Sequence, residues 1–266
     1  MPEGHGGRPT QDAAPVSGEA ERLAPLTQPP QHFYRTASLP CPYLHGRLER
    51  KLVTELAGRS AADFYNTLSR AGFRRSHNLA YRPACLGCQA CLPVRIPVAE
   101  FVLSRSLKRI RNLNRDIEAR LVAPAATVEQ FRLFLRYQRS RHPDSDMAAM
   151  TYGDYRAMIE DSPVATRLVE LRDDMGALAG ACLVDMLDDG VSAVYSFYDP
   201  DDGNRSLGSL LVLALVELAR RDALAYVYLG YLIKESPKMA YKARFRPLEV
   251  LGPGGWRRDE ALTPRG

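Results

Sequence analysis

The sequence has no apolar run near the ~18 residues that a membrane-spanning helix needs. Its first 18 residues lack the basic and then apolar pattern of a secretory signal. We therefore expect a cytoplasmic protein. Five cysteines in 266 residues predict free thiols or metal ligands, because structural disulfides are rare in the cytosol. The length allows one large or two small domains.

Two stretches of the chain contain no acidic residue, and a third contains only one. Residues 64–99 hold five arginines and no acid, residues 104–115 hold five basic residues and no acid, and residues 234–246 hold five basic residues and one acid. Residues 144–202, in contrast, hold fourteen acids and three arginines. Charge segregated in this way, with aromatic residues between the basic ones, predicts a phosphate-rich partner.

The first half of the chain predicts a short α+β region after a tail. Residues 1–30 are rich in Pro, Gly, Ala and Gln and predict a disordered tail. Leucines and valine at helical spacing predict a helix over residues 46–56, and a second helix follows Ser60 and closes at Gly72. Residues 73–81 and 92–98 predict strands, and residues 103–116 predict a basic helix.

The second half predicts a mixed sheet with helices on its faces. A boundary is expected near residues 123–126, because Thr127 begins a capping box with Gln130. A short helix from Thr151 comes next, and then three strands, an apolar helix and a buried strand, over residues 166–233. We expect an α+β fold with a domain over 31–123, a second domain over 124–252 and a tail over 253–266.

Three segments carry chemistry. The first, residues 204–210, places an arginine and small residues before an apolar helix, where free N–H groups favour an anion. Its Arg-x-x-Gly pattern resembles the pyrophosphate loop of GNAT-type N-acyltransferases, which implies a GNAT-like second domain.

The second segment is a run of thiols. Cys85, Cys88 and Cys91 follow at spacings of three, and Cys41 lies upstream. Four thiols suit zinc or an iron–sulfur cluster, and unliganded cysteines suit the pattern equally well. Cys182 lies in a strand pattern and is expected in the core.

The third segment, residues 231–247, runs from a buried strand into a helix that Ser236 and Pro237 begin. Lys238 and Lys242 are then expected one helical turn apart, where an anion between them would offset their repulsion.

Several blocks together resemble the aminoacyl-tRNA–protein transferases, in particular their bacterial aspartate/glutamate leucyltransferase branch. They are residues 41–47, 70–91 and 104–106, and the block from Ser236 to Lys242. The resemblance spans about residues 33–256. It implies an N-terminal family domain before the GNAT-like domain, and transfer of leucine from leucyl-tRNA to proteins that begin with Asp or Glu. The product would carry a destabilising N-terminal residue and be degraded. No membrane partner is implied.

The roles of individual residues are hypotheses within that reaction. Its acceptor is an α-amine of pKa roughly 7.7–8.0, so we expect positioning, without a strong base or a cofactor, to supply most of the acceleration. Arg74, Arg75 and Arg82, with Ser76 and Tyr81, are expected to hold the acidic acceptor side chain. Tyr195, Ser196 and Tyr198 are expected to orient the ester or move a proton. Arg205, Ser206 and Gly208 are expected to hold the aminoacylated terminus of the tRNA. The residues expected to bind tRNA phosphates are Arg105, Lys108, Arg109, Lys238, Lys242 and Arg244.

Three alternatives remain open at this point. An arginyl-tRNA donor would keep the enzyme class. A GNAT enzyme using acetyl-coenzyme A would need the 204–210 loop but not three basic runs. A metal-stabilised RNA-binding protein without catalysis would explain the cysteines and arginines but not the GNAT-like half.

Overall fold

The computed structural model describes residues 31–259. Within them the chain forms six α-helices: α1 Ala61–Arg70, α2 Arg105–Leu113, α3 Val128–Arg141, α4 Tyr152–Glu160, α5 Leu207–Arg221 and α6 Pro237–Ala240. The first eight strands are β1 Tyr34–Arg35, β2 Leu39–Pro40, β3 Leu48–Glu49, β4 Lys51–Glu55, β5 Arg74–Ser76, β6 Leu79–Pro83, β7 Leu92–Pro97 and β8 Glu118–Val122. The others are β9 Thr166–Arg172, β10 Leu178–Met186, β11 Gly190–Tyr198, β12 Tyr226–Leu232, β13 Glu249–Gly252 and β14 Gly255–Arg258.

An eight-stranded sheet organises the described chain, in the order β14-β13-β7-β12-β11-β10-β9-β8. Only the β11–β12 pair is parallel, so the sheet is mixed, as predicted. Apolar residues of α2 and α5 pack into one core cluster with the sheet, and those of α3 and α4 pack into another. The predicted β-β-β-α-β order is confirmed as β9, β10, β11, α5 and β12. No helix in residues 31–259 is long and apolar enough to cross a membrane.

A four-stranded sheet, β1-β4-β6-β5, lies in the N-terminal part. The helix predicted over residues 46–56 is wrong, since this stretch forms β3 and β4. Its leucines match a helical period, but residues 51–55 pair with β6 along their whole length, and tertiary pairing overrides the local pattern. The helix after Ser60 is confirmed, although the Ser60 side chain makes no capping hydrogen bond.

The second half follows its local signals closely. Thr127 and Gln130 form the predicted capping box of α3, and Thr151 and Asp154 form one on α4. The Ser104 hydroxyl caps α2 by accepting the Leu107 N–H.

The predicted boundary near residue 123 does not separate two sheets, because β7 and β8 from the first part complete the sheet of the second. Of the predicted tail over 253–266, residues 255–258 form β14 and pair with β13. The remainder of that tail from residue 260, and the predicted tail over 1–30, lie outside the described residues.

Candidate active site

A cavity opens where two neighbouring strands separate. β11 and β12 pair in parallel only from Gly190–Tyr226 to Ser192–Tyr228. Beyond that point β11 continues to Tyr198 and β12 to Leu232, and the pairing ends. Both strands line a cavity of about 1120 Å³ at this gap, somewhat above the ~300–1,000 Å³ usual for small-ligand clefts.

Arg74 on β5 reaches into this gap from the N-terminal part of the chain. Its Nη2 donates to two carbonyl oxygens of β11, Ala193 O at 2.6 Å and Val194 O at 2.8 Å. Val194 is the extra residue of a β-bulge, since the β10–β11 register shifts there. No carboxylate pairs with Arg74 among residues 31–259, and its Nε and Nη1 make no hydrogen bond there. Nε and Nη1 are therefore the donors of Arg74 that remain for an anion in the cavity.

Glycine on β12 makes room for that side chain. A Cβ on Gly230 would lie 1.5 Å from Arg74 Nη1 and 2.5 Å from its Cζ. Gly230 also has φ +73°, a conformation that side-chain-bearing residues rarely adopt. The position of Arg74 thus depends on this glycine.

Arg75, the next residue, has a different environment. Successive strand residues face opposite sides, and Arg75 forms a bidentate ion pair with Asp185, from Nε at 2.8 Å and Nη2 at 2.7 Å. Both side chains are buried, at 1% and 0% exposure. Its Nη1 donates to His77 O. Arg75 touches the cavity wall, but its donors are occupied within the fold, and its role in acceptor binding stays a prediction.

The other predicted acceptor residues divide in the same way. Ser76 and Tyr81 line the cavity. The Tyr81 ring lies 6.5 Å from that of Tyr231, which sequence reasoning missed. Arg82 is exposed, donates to Ala71 O at 3.0 Å and lies off the cavity wall, so the structure does not bring it together with the other predicted acceptor residues.

Tyr195, Ser196 and Tyr198 all line the cavity, as predicted. The Tyr195 hydroxyl is hydrogen-bonded by Gln138 Nε2, and burial raises the pKa of Tyr195. Tyr198 packs against Tyr137 with ring centroids 4.9 Å apart. A phenol with a raised pKa stays neutral and can donate a hydrogen bond.

The N-terminus of α5 opens into the same cavity through residues 206–209. Ser206 O accepts from Ser209 N and Leu210 N, which leaves the amides of Leu207 and Gly208, the first two residues of α5, without a partner within the helix. Arg244 Nη1 donates to Ser209 Oγ at 3.2 Å, and Lys238 lines the cavity nearby. Ser206 and Gly208 thus lie at a helix end that favours an anion, Arg244 contacts it and Lys238 lines the same cavity, while their role as tRNA ligands stays a prediction.

Two predicted tRNA ligands are placed differently. The Arg205 guanidinium forms an ion pair with Asp116 and donates to Asn114 Oδ1 at 2.9 Å, away from the cavity lining. Lys242 is buried at 6% exposure, because α6 ends at Ala240 and the chain tightens into a 3₁₀ turn. Of the pair expected one helical turn apart with an anion between them, Lys238 is exposed and Lys242 is buried. On α2, Arg105, Lys108 and Arg109 are exposed and lie off the cavity.

An apolar part of the cavity was not predicted at all. Met147, Met150, Met158 and Leu183 line it, and all four belong to or pack against the core cluster of α3 and α4. We call this set the methionine lobe. These residues come from three separate segments, the turn of Met147 and Met150, α4 and β10, so no local pattern could have grouped them.

The four N-terminal thiols lie near one another but have no metal-binding arrangement. Burial and the neighbouring Cys41, Cys85 and Cys88 raise the pKa of the Cys91 thiol to about 12. A hydrogen bond from the Ala90 backbone, with help from Arg47, lowers the pKa of Cys88. Within residues 31–259, no group of three or more His, Cys, Asp or Glu side chains is placed to hold a metal ion. Metal binding stays a prediction, while Cys182 is buried in the core as expected.

Comparison with known proteins places the chain in a family. Family descriptions of the "Arginine-tRNA-protein transferase" match over residues 39–109 for its N terminus and over 129–252 for its C terminus. A relative from Paramagnetospirillum magneticum, "Aspartate/glutamate leucyltransferase", is 58% identical over 86% of this chain and 94% of its own length. A relative of the same name from Granulibacter bethesdensis is 55% identical over 86% of this chain and 85% of its own length.

Solved structures with some likeness include FemX, with a TM-score of 0.43 and 7% identity over 68% of this chain and 63% of that chain. A "Tandem GNAT protein from the clavulanic acid biosynthesis pathway" has a TM-score of 0.36 and 14% identity over 71% of this chain and 55% of that chain. Likeness at this level adds nothing about function. On the family matches and the close relatives, the chain belongs to the aminoacyl-tRNA–protein transferases, a family of enzymes, in their aspartate/glutamate leucyltransferase branch.

Proposed function

We propose that this enzyme transfers leucine from leucyl-tRNA to the α-amine of proteins that begin with Asp or Glu. The observation that carries the proposal is Arg74, a guanidinium on the cavity wall with no carboxylate partner in the described chain. A buried cation is costly unless a partner pairs with it. The side-chain carboxylate of an N-terminal Asp or Glu supplies that partner, and it can accept a charge-assisted hydrogen bond from one of the remaining Arg74 donors.

The donor end of the cavity suits a leucyl-tRNA terminus. The free amides at the start of α5, with Lys238 and Arg244, form an anion site for a phosphate of the tRNA end. The methionine lobe offers an apolar surface for a leucyl side chain, and methionine adapts well to such a shape. Between these sites, Tyr195, Ser196 and Tyr198 can donate hydrogen bonds to the ester carbonyl as negative charge develops on it.

The same lining disfavours the arginyl alternative. Asp202 is the one acid among the described residues that line the cavity, whereas the cations Arg74, Arg141 and Lys238 also line it. An arginyl side chain would enter a cavity that is rich in cations and, in its methionine lobe, apolar. The non-catalytic and acetyl-coenzyme A alternatives gain no support from relatives that are named leucyltransferases.

The decisive test is a transfer assay with radiolabelled leucyl-tRNA or arginyl-tRNA and model proteins that begin with Asp, Glu, Asn, Gln or Ala. Leucine should be incorporated only on Asp and Glu. Incorporation of arginine instead of leucine would show that the donor is arginyl-tRNA. No incorporation from either tRNA would refute the proposal.

Arg74 can be tested in the same assay. In Arg74→Gln we expect kcat/KM for Asp and Glu acceptors to fall by about 10–100-fold, as for loss of a charge-assisted hydrogen bond. The preference for Glu over Gln at the acceptor terminus should shrink accordingly, with leucyl-tRNA binding unchanged. Arg82→Gln, a change on an exposed neighbour, is the matched control. An unchanged Glu-to-Gln preference in Arg74→Gln would remove Arg74 from the acceptor pocket.

A further inference from the structure

Lys242 is a buried lysine on the cavity wall. Its Nζ donates to the Tyr231 backbone oxygen at 2.6 Å and lies 3.8 Å from Met239 Sδ. No carboxylate within residues 31–259 pairs with it. Lysine side chains are almost never fully buried without a partner charge. Lys242 Nζ also lies 6.0 Å from the centroid of the Tyr241 ring. A lysine with 6% exposure and no anionic partner in the described residues therefore calls for an explanation other than packing.

The surroundings of Lys242 disfavour its charged form. Burial lowers the pKa of the Lys242 ammonium well below its usual value, and the nearby Arg74 cation lowers it further. Cys91, before β7, acts in the opposite direction. The Tyr231 and Tyr241 phenols nearby have raised pKa values, Tyr241 to about 12, because they are buried. These phenols stay neutral, so they provide no countercharge.

A neutral amine has a lone pair that an ammonium lacks. Its contact with Tyr231 O uses one N–H bond and leaves the lone pair available. Arg74 Nη1 packs against Gly230, and Lys242 Nζ donates to the carbonyl oxygen of the next residue, Tyr231, so both side chains lie at the same part of the cavity wall. An acceptor whose side-chain carboxylate binds Arg74 carries its α-amine only a few bonds from that carboxylate. The amine is thus brought to the region of Lys242.

We propose that Lys242 is the general base that deprotonates the acceptor α-ammonium. The inference rests on the proposed function and adds a catalytic residue to it. It also revises the expectation that no base is required. Because the acceptor pKa is roughly 7.7–8.0, most of the amine is protonated at or below neutral pH. An ammonium has no lone pair for attack on the ester.

The proton balance of the step is closed. Lys242 Nζ takes one proton from the ammonium, and the free amine attacks the ester carbonyl carbon to form the new C–N bond. The Lys242 ammonium then protonates the ester oxygen as the C–O bond to the tRNA ribose breaks, and Nζ accepts the second proton lost by the nitrogen. The products are an amide, a free ribose hydroxyl on the tRNA and a protonated Lys242, which releases its proton to water.

The test compares four proteins in single-turnover leucyl transfer at saturating leucyl-tRNA and acceptor, from about pH 6 to about pH 9, a range that spans the acceptor pKa. They are the wild type, Lys242→Met, Lys242→Arg and the exposed control Lys234→Met. We expect Lys242→Met to be about 100-fold slower than wild type near the acid end, the lower part of the range for general bases. The ratio of the wild-type rate to the Lys242→Met rate should become smaller as pH rises, because the acceptor amine then loses its proton in solution.

Lys242→Arg separates a base from a structural hydrogen bond. Arginine can still donate to Tyr231 O but stays protonated, so Lys242→Arg should show the same slow, pH-dependent rate as Lys242→Met. This variant also provides the readout if Lys242→Met does not fold. Lys234→Met should behave as wild type.

A second readout needs no activity. An unfolded lysine binds a proton at a pH where buried Lys242 does not, so stability should rise with pH through that range. The unfolding free energy of wild type minus that of Lys242→Met should therefore increase as pH rises. A difference that is flat with pH would mean that Lys242 keeps its charge and would overturn the proposal.

The remaining outcomes each have one meaning. An equal loss of rate at every pH, together with weaker leucyl-tRNA binding in a filter assay, would make Lys242 a phosphate ligand and overturn its role as base. Normal rates in Lys242→Arg would assign it a structural role. A wild type that transfers no leucine at any pH would refute the proposed function itself, which is a different result from a wild type that is active with insensitive Lys242 variants.

Discussion

The two faces of β5 carry adjacent arginines with opposite surroundings. On one face, Arg75 is enclosed with Asp185 in a bidentate pair, and Thr166 Oγ1 also donates to Asp185 at 3.0 Å. On the other face, Arg74 meets two carbonyl oxygens and no acid within the described residues, with Lys242 beyond it. Arg75 is buried at 3% exposure and Arg74 is half-buried, so both guanidiniums are at least partly removed from water.

The difference lies in whether the charge is satisfied within the fold. A buried ion pair with its hydrogen bonds completed is a closed structural unit, and removing one partner leaves the other uncompensated. A cation that is removed from water without an acid partner keeps an uncompensated desolvation cost until an anionic ligand binds. Unsatisfied charge in a cavity is therefore the better indicator of function.

The largest expected effect is on the closed face. Arg75→Met leaves Asp185 buried and unpaired, and we expect the free energy of unfolding to fall by about 3–5 kcal/mol. Arg74→Met removes a cation that has no acid partner, and its loss of stability should be much smaller. Urea denaturation of both variants measures this difference. Equal losses would mean that the two faces do not differ in the way described.

The open face can be perturbed without touching Arg74. In Gly230→Ala the new Cβ occupies the space of Arg74 Nη1 and Cζ, so the guanidinium must move. We expect acceptor kcat/KM to fall by about 10-fold or more, approaching the effect of losing the charged hydrogen bond. The positive φ at Gly230 adds a backbone cost of ~1–3 kcal/mol.

Gly58→Ala is the matched control for that substitution. Gly58 has φ +75°, and its Cβ would meet nothing within 4 Å. It should lose comparable stability but keep normal transfer kinetics. If Gly58→Ala impaired transfer as much as Gly230→Ala, backbone strain rather than Arg74 displacement would explain the result.

Sequence reasoning found the elements whose signals are local. Thr127 with Gln130, Thr151 with Asp154 and the small residues before α5 each predict their own structure, because a helix cap depends on residues a few positions apart. Residues 46–56 were mispredicted because their strand pairing is determined by β6, about 30 residues away.

The site was predictable in membership but not in role. Arg74 and Arg75 are equivalent in the sequence, and only the position of Asp185, 110 residues further on, separates them. Arg205 is likewise held away from the cavity lining by its ion pair with Asp116. Lys242 looked like a surface cation, because its burial depends on the turn that follows α6. Long-range pairing, which local patterns do not contain, decided each of these roles.

The smallest expected effect is at the donor end, where the structure provides another glycine comparison. A Cβ on Gly208, the second residue of α5, would lie 2.9 Å from Tyr198 Cε1, so the Tyr198 ring must shift from the cavity wall. Gly208→Ala should raise KM for leucyl-tRNA about 3–10-fold, a change of ~1 kcal/mol. The Glu-to-Gln preference set by Arg74 should remain.

Gly153→Ala is the control for Gly208→Ala, because Gly153 is the second residue of α4 and its Cβ would make only an ordinary contact, at 3.6 Å to Thr151 Oγ1. It should leave KM unchanged and add up to ~1 kcal/mol of stability through the unfolded state. The double variant Gly208→Ala/Tyr198→Ala completes a thermodynamic cycle, since Gly208→Ala should cost little once the ring is absent. If its cost persisted without the ring, the substitution would act on the amides of α5 directly, and the donor end would depend on its backbone rather than on Tyr198.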